Sequence, residues 1–548
     1  MTIGPISDLN ASLPPAPTGA VLVPASSIAP EYCLITGTVV TNPATIKTAN
    51  FGMALPPTWN GKFLYFGCGG LCGTVFSTLP VTTSGGGAPA DALAKGYAIA
   101  ATDDGHAGAA FNGSWALISP GVPNTDAVTD FFYRAVHVVA NAGKSLSKNW
   151  YGASDLAQSY YYGCSDGGRE GLVEASRYPA DFDGYVAGDP FMDIRGEILA
   201  GSRATRNLTK ALDSFIPADL LAVVDSAVAA NCDATDGVTD GLIQNAGKCS
   251  FKPERLLCQG DNATSCLTQN QVDTLTQWIS AARNPDQRVV SYGYPVSDLN
   301  DAPGLNLFAW AESAGPPLNI NAAEPWGTTP SAQPPGWAFS DQMLKYFVYL
   351  DPDFDSAHNA PVDFNGLADP AAVALIDRRT EAGDGDVPQK LEQFIGQNRK
   401  MILFHGYSDG WINPFRTIGF YQEWAKIRGD ISELQDHARL FMVPGMFHCQ
   451  GGPGPNTFDT LKALEHWVEN GIAPDSIVAT KYTNDDQTMP PLRTMPLCKF
   501  PQQAQYSGSG DVNSAANWSC TANQDLLQVG LDGALAGQNG PPHRPGKP

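Results

Sequence analysis

The sequence predicts an α/β fold in which a parallel sheet carries helices on both faces and is interrupted by a large inserted domain. Short apolar runs alternate with helical patterns through the first third of the chain. The alternation stops in the middle, where cysteines and proline-rich runs replace it, and it resumes near residue 400. Because 548 residues exceed what one compact core usually holds, we expect two or three units.

The first predicted strands are "KFLYFG" (62–67) and "GYAIAATDDG" (96–105), and each leads into a glycine-rich loop. Residues 129–150 then show apolar side chains at helical spacing. A strand in "SYYYG" is followed by a helix in "GREGLVEASRYP", which ends at Pro179, and by a strand within 183–190. This order of strands and helices predicts parallel pairing with helices on both faces of the sheet.

The inserted domain is predicted at residues 191–397, between core parts at 1–190 and 398–548. After it, "KMILFHGYSDGW" (400–411) and "ARLFMVPGMFHC" (438–449) again read as strands that lead into loops. The stretch "TFDTLKALEHWVENG" predicts an amphipathic helix that ends at its glycine. The sheet is therefore expected to be built from both ends of the chain.

The composition excludes several kinds of partner. The chain has 33 Lys+Arg against 55 Asp+Glu, a formal charge of −22, which repels nucleic acid and anionic lipid. No apolar run approaches the roughly 20 residues of a membrane span. The opening residues do not read as a signal peptide, so a secreted or periplasmic protein would be present here in mature form.

The cysteines favour disulfides and an oxidising compartment. The chain has 11 cysteines, and none shows zinc-finger spacing. Because the count is odd, at least one thiol stays unpaired within the chain. Six of them form three short loops, which we expect to be closed as Cys232–Cys249, Cys258–Cys266 and Cys498–Cys520.

A serine lies between glycines in Gly163-Cys164-Ser165-Asp166-Gly167, which matches the G-x-S-x-G pattern of a nucleophile elbow. A serine on a tight strand-to-helix turn needs small neighbours, and the turn holds its hydroxyl clear of the sheet. The helix that follows directs its first N–H groups toward a developing oxyanion. We therefore interpret Ser165 as a candidate nucleophile.

A serine nucleophile needs a base and an orienting carboxylate, which in this topology follow later strands in the order Asp, then His. Asp409 and His448 fit that order, whereas His405 lies within or at the very end of its strand. Cys164 precedes the serine and Cys449 follows the histidine. If the serine and histidine are hydrogen-bonded, these cysteines fall within disulfide range, and their bond would clamp nucleophile to base.

At these residues the sequence resembles the tannase and feruloyl esterase family, whose mark is a CS-D-HC arrangement. The likeness extends from "EYCLITGTV" (31–39) to "ANWSC" (516–520) and includes "PPTWNGKFLYFG", "GCSDGGREGL" and "VPGMFHCQGGPGPNTFD". It implies an α/β-hydrolase core with a large lid. It also implies a serine carboxylester hydrolase that cleaves feruloyl, hydroxycinnamoyl or galloyl esters through an acyl-enzyme, without an organic cofactor. The partner would be a small aromatic ester or an ester-decorated plant polymer.

The resemblance implies oxyanion donors at the backbone N–H groups of Gly70 and Asp166, and the three short cysteine loops match family disulfides. The family often pairs an N-terminal cysteine with one that matches Cys33, but here no cysteine precedes Cys33. Cys68 and Cys72 are additional and bracket the oxyanion loop. Either Cys33 pairs with one of them, or they pair with each other.

The resemblance also implies structural calcium in "CDATDGVTDGLI" (232–243). The matching loop supplies oxygen ligands, which calcium prefers, from three carboxylates and two backbone carbonyls. It is not an EF-hand, because the twelfth position is Gln244. The expected ligands are Asp233, Asp236, Val238, Asp240 and Leu242.

Aromatic side chains are the candidates for an acyl pocket. Trp411 and Ile412 follow Asp409 closely and are expected to contact the acyl group. The inserted domain offers Trp310, Trp326 and Trp337, which either wall the pocket or form the domain's own core.

Two other functions compete with aromatic ester hydrolysis. Relatives that cleave a terephthalate monoester hold its carboxylate with a lid arginine, yet this chain has no Arg or Lys between Arg288 and Lys345. Hydrolysis of terephthalate or phthalate monoesters is therefore the alternative within enzymes. A catalytically inactive, calcium-dependent extracellular binding protein is the alternative from another class.

Overall fold

The structure, a computed structural model, describes residues 16–23, 25, 30–75, 90–259, 265–299, 315–329, 333–523, 526, 528–529 and 534–535. A nine-stranded mixed sheet forms the centre of the molecule. Its strands are β1 (Ala16–Val23), β2 (Tyr32–Asn42), β3 (Lys47–Leu55), β4 (Lys62–Phe66), β5 (Ala98–Thr102), β6 (Gln158–Cys164), β7 (Gly184–Gly188), β8 (Lys400–Gly406) and β9 (Ala438–Val443).

The spatial order of the sheet is β1-β2-β3-β5-β4-β6-β7-β8-β9. The strands from β4 to β9 pair in parallel, which confirms the predicted parallel layer. The three strands from β1 to β3 add an antiparallel edge that the sequence analysis did not predict. Antiparallel pairing needs only short connections, so these strands lack the regular alternation of strand and helix patterns that marks the parallel strands in the sequence.

The α-helices in the described residues are α1 (Ala90–Ala94), α2 (Thr125–Thr129), α3 (Ala135–Tyr151), α4 (Asp166–Arg177), α5 (Ile194–Leu208), α6 (Ala218–Cys232), α7 (Gln269–Ile279), α8 (Pro335–Gln342), α9 (Pro370–Thr380), α10 (Glu392–Gly396), α11 (Pro414–Arg428), α12 (Ile431–Leu434) and α13 (Thr460–Asn470). A π-helical turn, Asp130–Arg134, joins α2 to α3, and a second one, Met343–Tyr349, extends α8. Gly471 ends α13 in the left-handed conformation that its sequence predicted.

Small two-stranded sheets complete the strands that the structure describes. They pair Leu117–Ser119 with Val122–Pro123, Ala282–Arg283 with Val289–Ser291, Ser476–Tyr482 with Pro491–Cys498, Gln502–Tyr506 with Trp518–Ala522, and Gln528–Val529 with Ala534–Leu535.

Both faces of the sheet are buried, as β6 shows. Tyr161 packs on the face covered by α3, α4 and α11, while Tyr160 and Tyr162 pack on the face covered by α13. Successive side chains of a strand point to opposite faces, so a run of three tyrosines fills both layers of the core. This explains why the strand reads as a continuous apolar run rather than as an alternating one.

Between β7 and β8 the chain leaves the sheet for residues 189–399, which we call the inserted segment. It contains α5 to α10, an apolar cluster formed by its own buried residues, and a second cluster shared with buried residues between 68 and 132 of the core. One stretch within it, Leu212–Asp236, is long and apolar enough to cross a membrane by length and composition alone. Its helix α6 buries Leu221, Val224 and Val228 in the cluster that also holds residues of α7, so this apolar face is part of the segment's core.

The structure contains the four disulfides that the sequence analysis predicted: Cys164–Cys449, Cys232–Cys249, Cys258–Cys266 and Cys498–Cys520. It also resolves the question that the sequence left open. Cys68 and Cys72 are bonded to each other, and Cys33, on β2, is a free thiol.

Candidate active site

Ser165 lies on a tight turn between β6 and α4. Its backbone is in the left-handed region, with φ 65° and ψ −124°. A Cβ atom on Gly163 would lie 2.4 Å from the carbonyl oxygen of Gly167, and one on Gly167 would lie 2.8 Å from that of Cys68. Only glycine fits at both positions, so the turn has the steric form expected of a nucleophile elbow.

Three polar side chains meet at the carboxyl edge of the parallel strands. Ser165 follows β6, Asp409 follows β8 and His448 follows β9. His448 Nδ1 lies 2.8 Å from Asp409 Oδ2, and its Nε2 lies 2.8 Å from Ser165 Oγ. Because a carboxylate only accepts, Nδ1–H donates to Asp409, which leaves Nε2 to accept the hydrogen bond from the serine hydroxyl.

The carboxylate of Asp409 is oriented by the backbone of its own loop. Its Oδ1 accepts hydrogen bonds from the N–H groups of Trp411 at 2.7 Å and of Ile412 at 3.0 Å. With Oδ1 occupied, Oδ2 is directed toward the imidazole. The loop sequence after β8 therefore positions the carboxylate as well as supplying it.

The electrostatics of this pair favour a charged aspartate beside a basic histidine. Burial alone would raise the pKa of Asp409, but the adjacent His448 and the hydrogen bonds from His405 and His448 bring that pKa below its ordinary value. Burial alone would lower the pKa of His448, but the charge of Asp409 outweighs it and raises that pKa above its ordinary value. The imidazole is thus a stronger base than a free histidine.

The disulfide Cys164–Cys449 joins the immediate neighbours of Ser165 and His448. Its Cα atoms are 6.1 Å apart, although 285 residues separate the two cysteines in the chain. The bond therefore ties the turn after β6 to the loop after β9. The structure places these four residues as the sequence analysis expected.

The two backbone N–H groups proposed for an oxyanion hole border the same space. Gly70 and Asp166 line one cleft with Ser165. Gly70 has a φ of 62°, a conformation that glycine adopts readily. No described residue accepts a hydrogen bond from the N–H of Gly70 or of Asp166. The N–H of Gly167 donates instead to the carbonyl of Cys68 at 2.8 Å, which ties the Gly70 loop to α4.

The cleft beside Ser165 is mostly apolar and receives residues from both the core and the inserted segment. Trp411 closes one side and lies parallel to the imidazole of His448, with ring centroids 5.5 Å apart. The residues that line the cleft are Gly70, Ala110, Phe111, Ser165, Asp166, Phe191, Glu197, Pro335, Gly336, Phe339, Trp411 and Ile412.

The predicted tryptophan wall needs correction. Trp411 and Ile412 line the cleft, but Trp326 and Trp337 do not. These two pack against each other, with centroids 5.8 Å apart, in a cluster with Leu208 of α5. Their large apolar rings are needed to hold the inserted segment together, and both are almost fully buried. Trp310 lies outside the described residues.

Three buried side chains near the site were given no role from the sequence: His405 was set aside as a strand residue, and Asp189 and Glu197 were not singled out. His405 Nε2 lies 3.2 Å from Asp409 Oδ2. Asp189 follows β7, accepts a hydrogen bond from the Gly406 N–H, and has its pKa raised to about 7 by burial. Glu197 lines the cleft, and burial raises its pKa to about 8. The signal for Asp189 was its position directly after a core strand, whereas Glu197 lies within a helix and had none.

The loop with the predicted calcium ligands follows α6. Asp233 accepts hydrogen bonds from the N–H groups of Asp240 and Gly241, and Arg493 Nη1 lies 3.2 Å from Asp240 Oδ2. Asp236 Oδ2 is buried and accepts no hydrogen bond. Burial, with Asp240 and Asp233 nearby, raises the pKa of Asp236 to about 6. An orphaned carboxylate oxygen among three carboxylates fits a hard divalent cation.

Comparison with known proteins gives a consistent result. The sequence profile described as "Tannase and feruloyl esterase" matches residues 33–521. The chain is 31% identical to a mono(2-hydroxyethyl) terephthalate hydrolase of Piscinibacter sakaiensis, over 90% of this chain and 85% of that protein. It is also 31% identical to a probable feruloyl esterase B-1 of Neosartorya fischeri, over 89% of this chain and 86% of that protein.

Among solved structures, feruloyl esterase B from Aspergillus oryzae superposes with a TM-score of 0.75 at 26% identity, covering 94% of this chain and 98% of that one. Tannin acyl hydrolase from Aspergillus niger has a TM-score of 0.72 at 21% identity, covering 97% and 96%. These structures share the α/β-hydrolase fold described above. The chain belongs to the tannase and feruloyl esterase family and is a carboxylic ester hydrolase.

Proposed function

We propose that this chain hydrolyses esters of aromatic acids, of the feruloyl or hydroxycinnamoyl kind, with Ser165 as nucleophile. The observation that carries the proposal is the unbroken hydrogen-bond chain from Ser165 through His448 to Asp409, which opens into an apolar cleft. A hydroxyl that donates to a buried, carboxylate-backed imidazole is the arrangement that activates a serine.

In the proposed mechanism, Ser165 Oγ attacks the ester carbonyl carbon while His448 Nε2 accepts the hydroxyl proton. Asp409 stabilises the imidazolium that forms. The N–H groups of Gly70 and Asp166 stabilise the oxyanion. His448 returns the proton to the alcohol as the C–O bond breaks and leaves an acyl-enzyme. Water then gives a proton to His448 and attacks the acyl carbon. His448 returns that proton to Ser165 Oγ as the acyl–oxygen bond breaks and the acid is released.

The cleft favours an uncharged aromatic acyl group. Phe111, Phe191, Phe339 and Trp411 offer ring surfaces, and none of its lining residues is a lysine or an arginine. The acidic residues in its lining are Asp166, which pairs with Arg169, and Glu197, whose pKa burial raises to about 8. A free carboxylate on the acyl ring would enter this cleft without a cationic partner, at a cost in desolvation.

Hydrolysis of a terephthalate monoester is the second candidate, because the relative from Piscinibacter sakaiensis carries that name. A galloyl ester carries its carbonyl directly on a ring with three hydroxyls, whereas a feruloyl ester has a propenoyl arm between the carbonyl and a ring with one hydroxyl and one methoxy group. The apolar lining described above supports the feruloyl class over both. Five disulfides in the described chain support a secreted or periplasmic location.

The division into core residues 1–190 and 398–548 with a lid at 191–397 stays a prediction. The inserted segment supports it by supplying part of the cleft wall, from Phe191 to Phe339. Calcium would be held by the side chains of Asp233, Asp236 and Asp240 with the carbonyls of Val238 and Leu242. The ion would stabilise the segment by neutralising three carboxylates, of which only Asp240 has an arginine, Arg493, close by in the described residues. It would take no part in ester hydrolysis.

Replacing Ser165 by alanine tests the nucleophile. We expect Ser165→Ala to lower kcat on 4-nitrophenyl acetate by at least about 10⁴-fold, because the attacking oxygen is gone. A fluorophosphonate should label the wild type at Ser165 and leave this variant unlabelled. The exposed Ser226→Ala on α6 is the matched control and should keep activity and labelling. Wild-type turnover by Ser165→Ala would refute the assignment, and an unlabelled, inactive wild type would favour a binding protein.

A substrate panel tests the acyl specificity. Methyl ferulate, methyl gallate and mono(2-hydroxyethyl) terephthalate should be compared by kcat/KM at pH 7. We expect kcat/KM for methyl ferulate to exceed that for the terephthalate monoester by at least about 10-fold. The cleft lacks a cation for the free carboxylate, and burying that unpaired charge should cost more than about 1.4 kcal/mol. A higher kcat/KM for the monoester would contradict the proposed acyl class while leaving the nucleophile intact.

The pH dependence tests the Asp409–His448 pair. His448 must be neutral to accept a proton, so kcat/KM should fall as the pH drops through its pKa, which Asp409 raises above the ordinary value of about 6.5. In Asp409→Asn the anion is lost, so the acid limb should move to lower pH while the maximal rate falls by about 10⁴-fold. The exposed Asp286→Asn should change neither. An acid limb that stays in place in Asp409→Asn would contradict the pairing.

Chelation tests the calcium loop through stability rather than activity. A ligand bound only to the folded state stabilises it by about 2.7 kcal/mol at a concentration 100 times its Kd. We therefore expect EGTA to lower the Tm of the wild type and calcium to restore it. Asp236→Asn should abolish this response, and the exposed Glu254→Gln should retain it. A wild-type Tm that ignores both EGTA and added calcium would exclude the site.

A further inference from the structure

A buried acidic cluster lies directly beneath the loop that carries Gly70. Asp104, Asp166 and Glu170 are 0%, 1% and 2% exposed, respectively. Their carboxylates converge on the sulfur atoms of Cys68 and Cys72, which begin and end the loop. Burying three carboxylates together is costly unless positive charge or protons offset them.

One of the three carboxylates has a dedicated partner. Arg169 donates to Asp166 through both Nε, at 2.6 Å, and Nη2, at 2.9 Å. This pair is close to neutral as a unit. Asp104 and Glu170 share no comparable ion pair in the described residues, so they form the unbalanced part of the cluster.

The contacts between sulfur and oxygen are the informative feature. Cys68 Sγ lies 2.9 Å from Glu170 Oε1 and 3.5 Å from Asp104 Oδ2, and Cys72 Sγ lies 3.3 Å from that same Asp104 oxygen. A disulfide sulfur cannot donate a hydrogen bond, and neither can an ionised carboxylate, so lone pairs face each other in the disulfide form when the carboxylates are charged. The other oxygen of Asp104, Oδ1, is also buried and has no hydrogen-bond partner. A positive group beside these side chains would relieve the contacts of both kinds.

The surroundings orient Glu170 as a ligand. Its Oε2 accepts a hydrogen bond from the N–H of Cys68 at 3.2 Å and lies 3.0 Å from the hydroxyl of Tyr161, whose single proton also faces the carbonyl of Gly167 at 2.7 Å. These contacts hold Oε2 and leave Oε1 directed at the sulfurs. Carboxylates that bind metal ions are commonly fixed in this way through their second oxygen.

We propose that Cys68, Cys72, Asp104 and Glu170 bind one thiophilic divalent cation, of the zinc class, when the two cysteines are reduced. The Cys68–Cys72 disulfide is then the metal-free state of the same site. Zinc is held tetrahedrally by sulfur at about 2.3 Å and carboxylate oxygen at about 2.1 Å, so its ligand atoms lie about 3.6 Å apart.

Three of the separations between a sulfur atom and a carboxylate oxygen in the cluster fit that requirement. Asp104 Oδ2 is 3.5 Å and 3.3 Å from the two sulfurs, and Glu170 Oε1 is 3.7 Å from Cys72 Sγ. Two separations are shorter: that of the bonded sulfur atoms of Cys68 and Cys72, and the 2.9 Å contact between Cys68 Sγ and Glu170 Oε1. Reduction must therefore separate the two sulfurs before a cation can enter. Two thiolates with two carboxylates suit zinc better than calcium, which binds oxygen.

A phosphine can serve as the reductant that opens the disulfide. It donates two electrons, which cleave the sulfur–sulfur bond, and it is oxidised to the phosphine oxide with an oxygen atom from water. The two protons of that water go to the two thiols. The cation then binds the thiolates and releases both protons to solvent.

Cobalt binding after mild reduction tests the proposal. Protein treated with a water-soluble phosphine and then desalted is titrated anaerobically with Co²⁺. We expect one equivalent to produce a near-ultraviolet thiolate-to-cobalt band in the wild type and in the control Cys33→Ser. The double variant Cys68→Ser/Cys72→Ser should lack the band under the same treatment, which also accounts for thiols released elsewhere. Cobalt in the calcium loop would have only oxygen ligands and would give no such band.

Asp104→Asn provides a second measurement that does not depend on the cysteines. Asparagine tolerates the φ of 56° at this position, so the backbone should be preserved. We expect it to weaken cobalt binding by at least tenfold while the thiol count stays that of the wild type. A wild type without the band, a band that persists in the double variant, or an Asp104→Asn variant of unchanged affinity would each overturn the proposal.

Discussion

The active site depends on a steric constraint at one turn, where the backbone at Ser165 is held at a φ of 65°. The turn exists because strand, helix and loop backbones approach each other closely enough to exclude any side chain at Gly163 and Gly167. The N–H of Ser165 donates to the carbonyl of Gly188, which fixes the turn against β7. The N–H of Asp166 is left without a partner at the start of α4, where the helix dipole already favours negative charge.

The turn alone activates nothing, because the base and its carboxylate come from strands far along the chain. Parallel pairing places Cys164 beside Gly188, and Gly188 beside Phe404, so the loops after β6, β7 and β8 leave the sheet at one level. The inserted segment adds a brace from outside. Glu197 Oε1 accepts a hydrogen bond from the N–H of Asn413, and its Oε2 accepts one from the hydroxyl of Tyr294. The loop that carries Asp409 is therefore held by both units.

What the sequence could predict follows from the range of the interactions involved. The parallel strands, the serine turn and the cysteine loops are local patterns, and the order of Ser165, Asp409 and His448 follows from topology. The antiparallel strands β1 to β3 were missed because their short connections leave no room for the strand–helix alternation that marks the parallel strands. For Trp326 and Trp337 the sequence left pocket and core as alternatives, because composition cannot distinguish a pocket ring from a core ring. Glu197 was missed because its importance arises only from contacts across 216 residues.

The buried charges behind Ser165 complete the electrostatic argument. Negative charge develops at the oxyanion beside Gly70 and Asp166, so carboxylates beneath the Gly70 loop would oppose it if they stayed charged. Arg169 offsets Asp166, and carbonyls of Phe131 and Phe132 hold the guanidinium in place. Burial and the neighbouring Glu170 raise the pKa of Asp104 well above its ordinary value, so negative charge on this carboxyl group is disfavoured. A cation held by the reduced cysteine pair, as proposed above, would offset the same carboxylates. The same loop thus links the chemistry at Ser165 to the charge balance of the core beneath it.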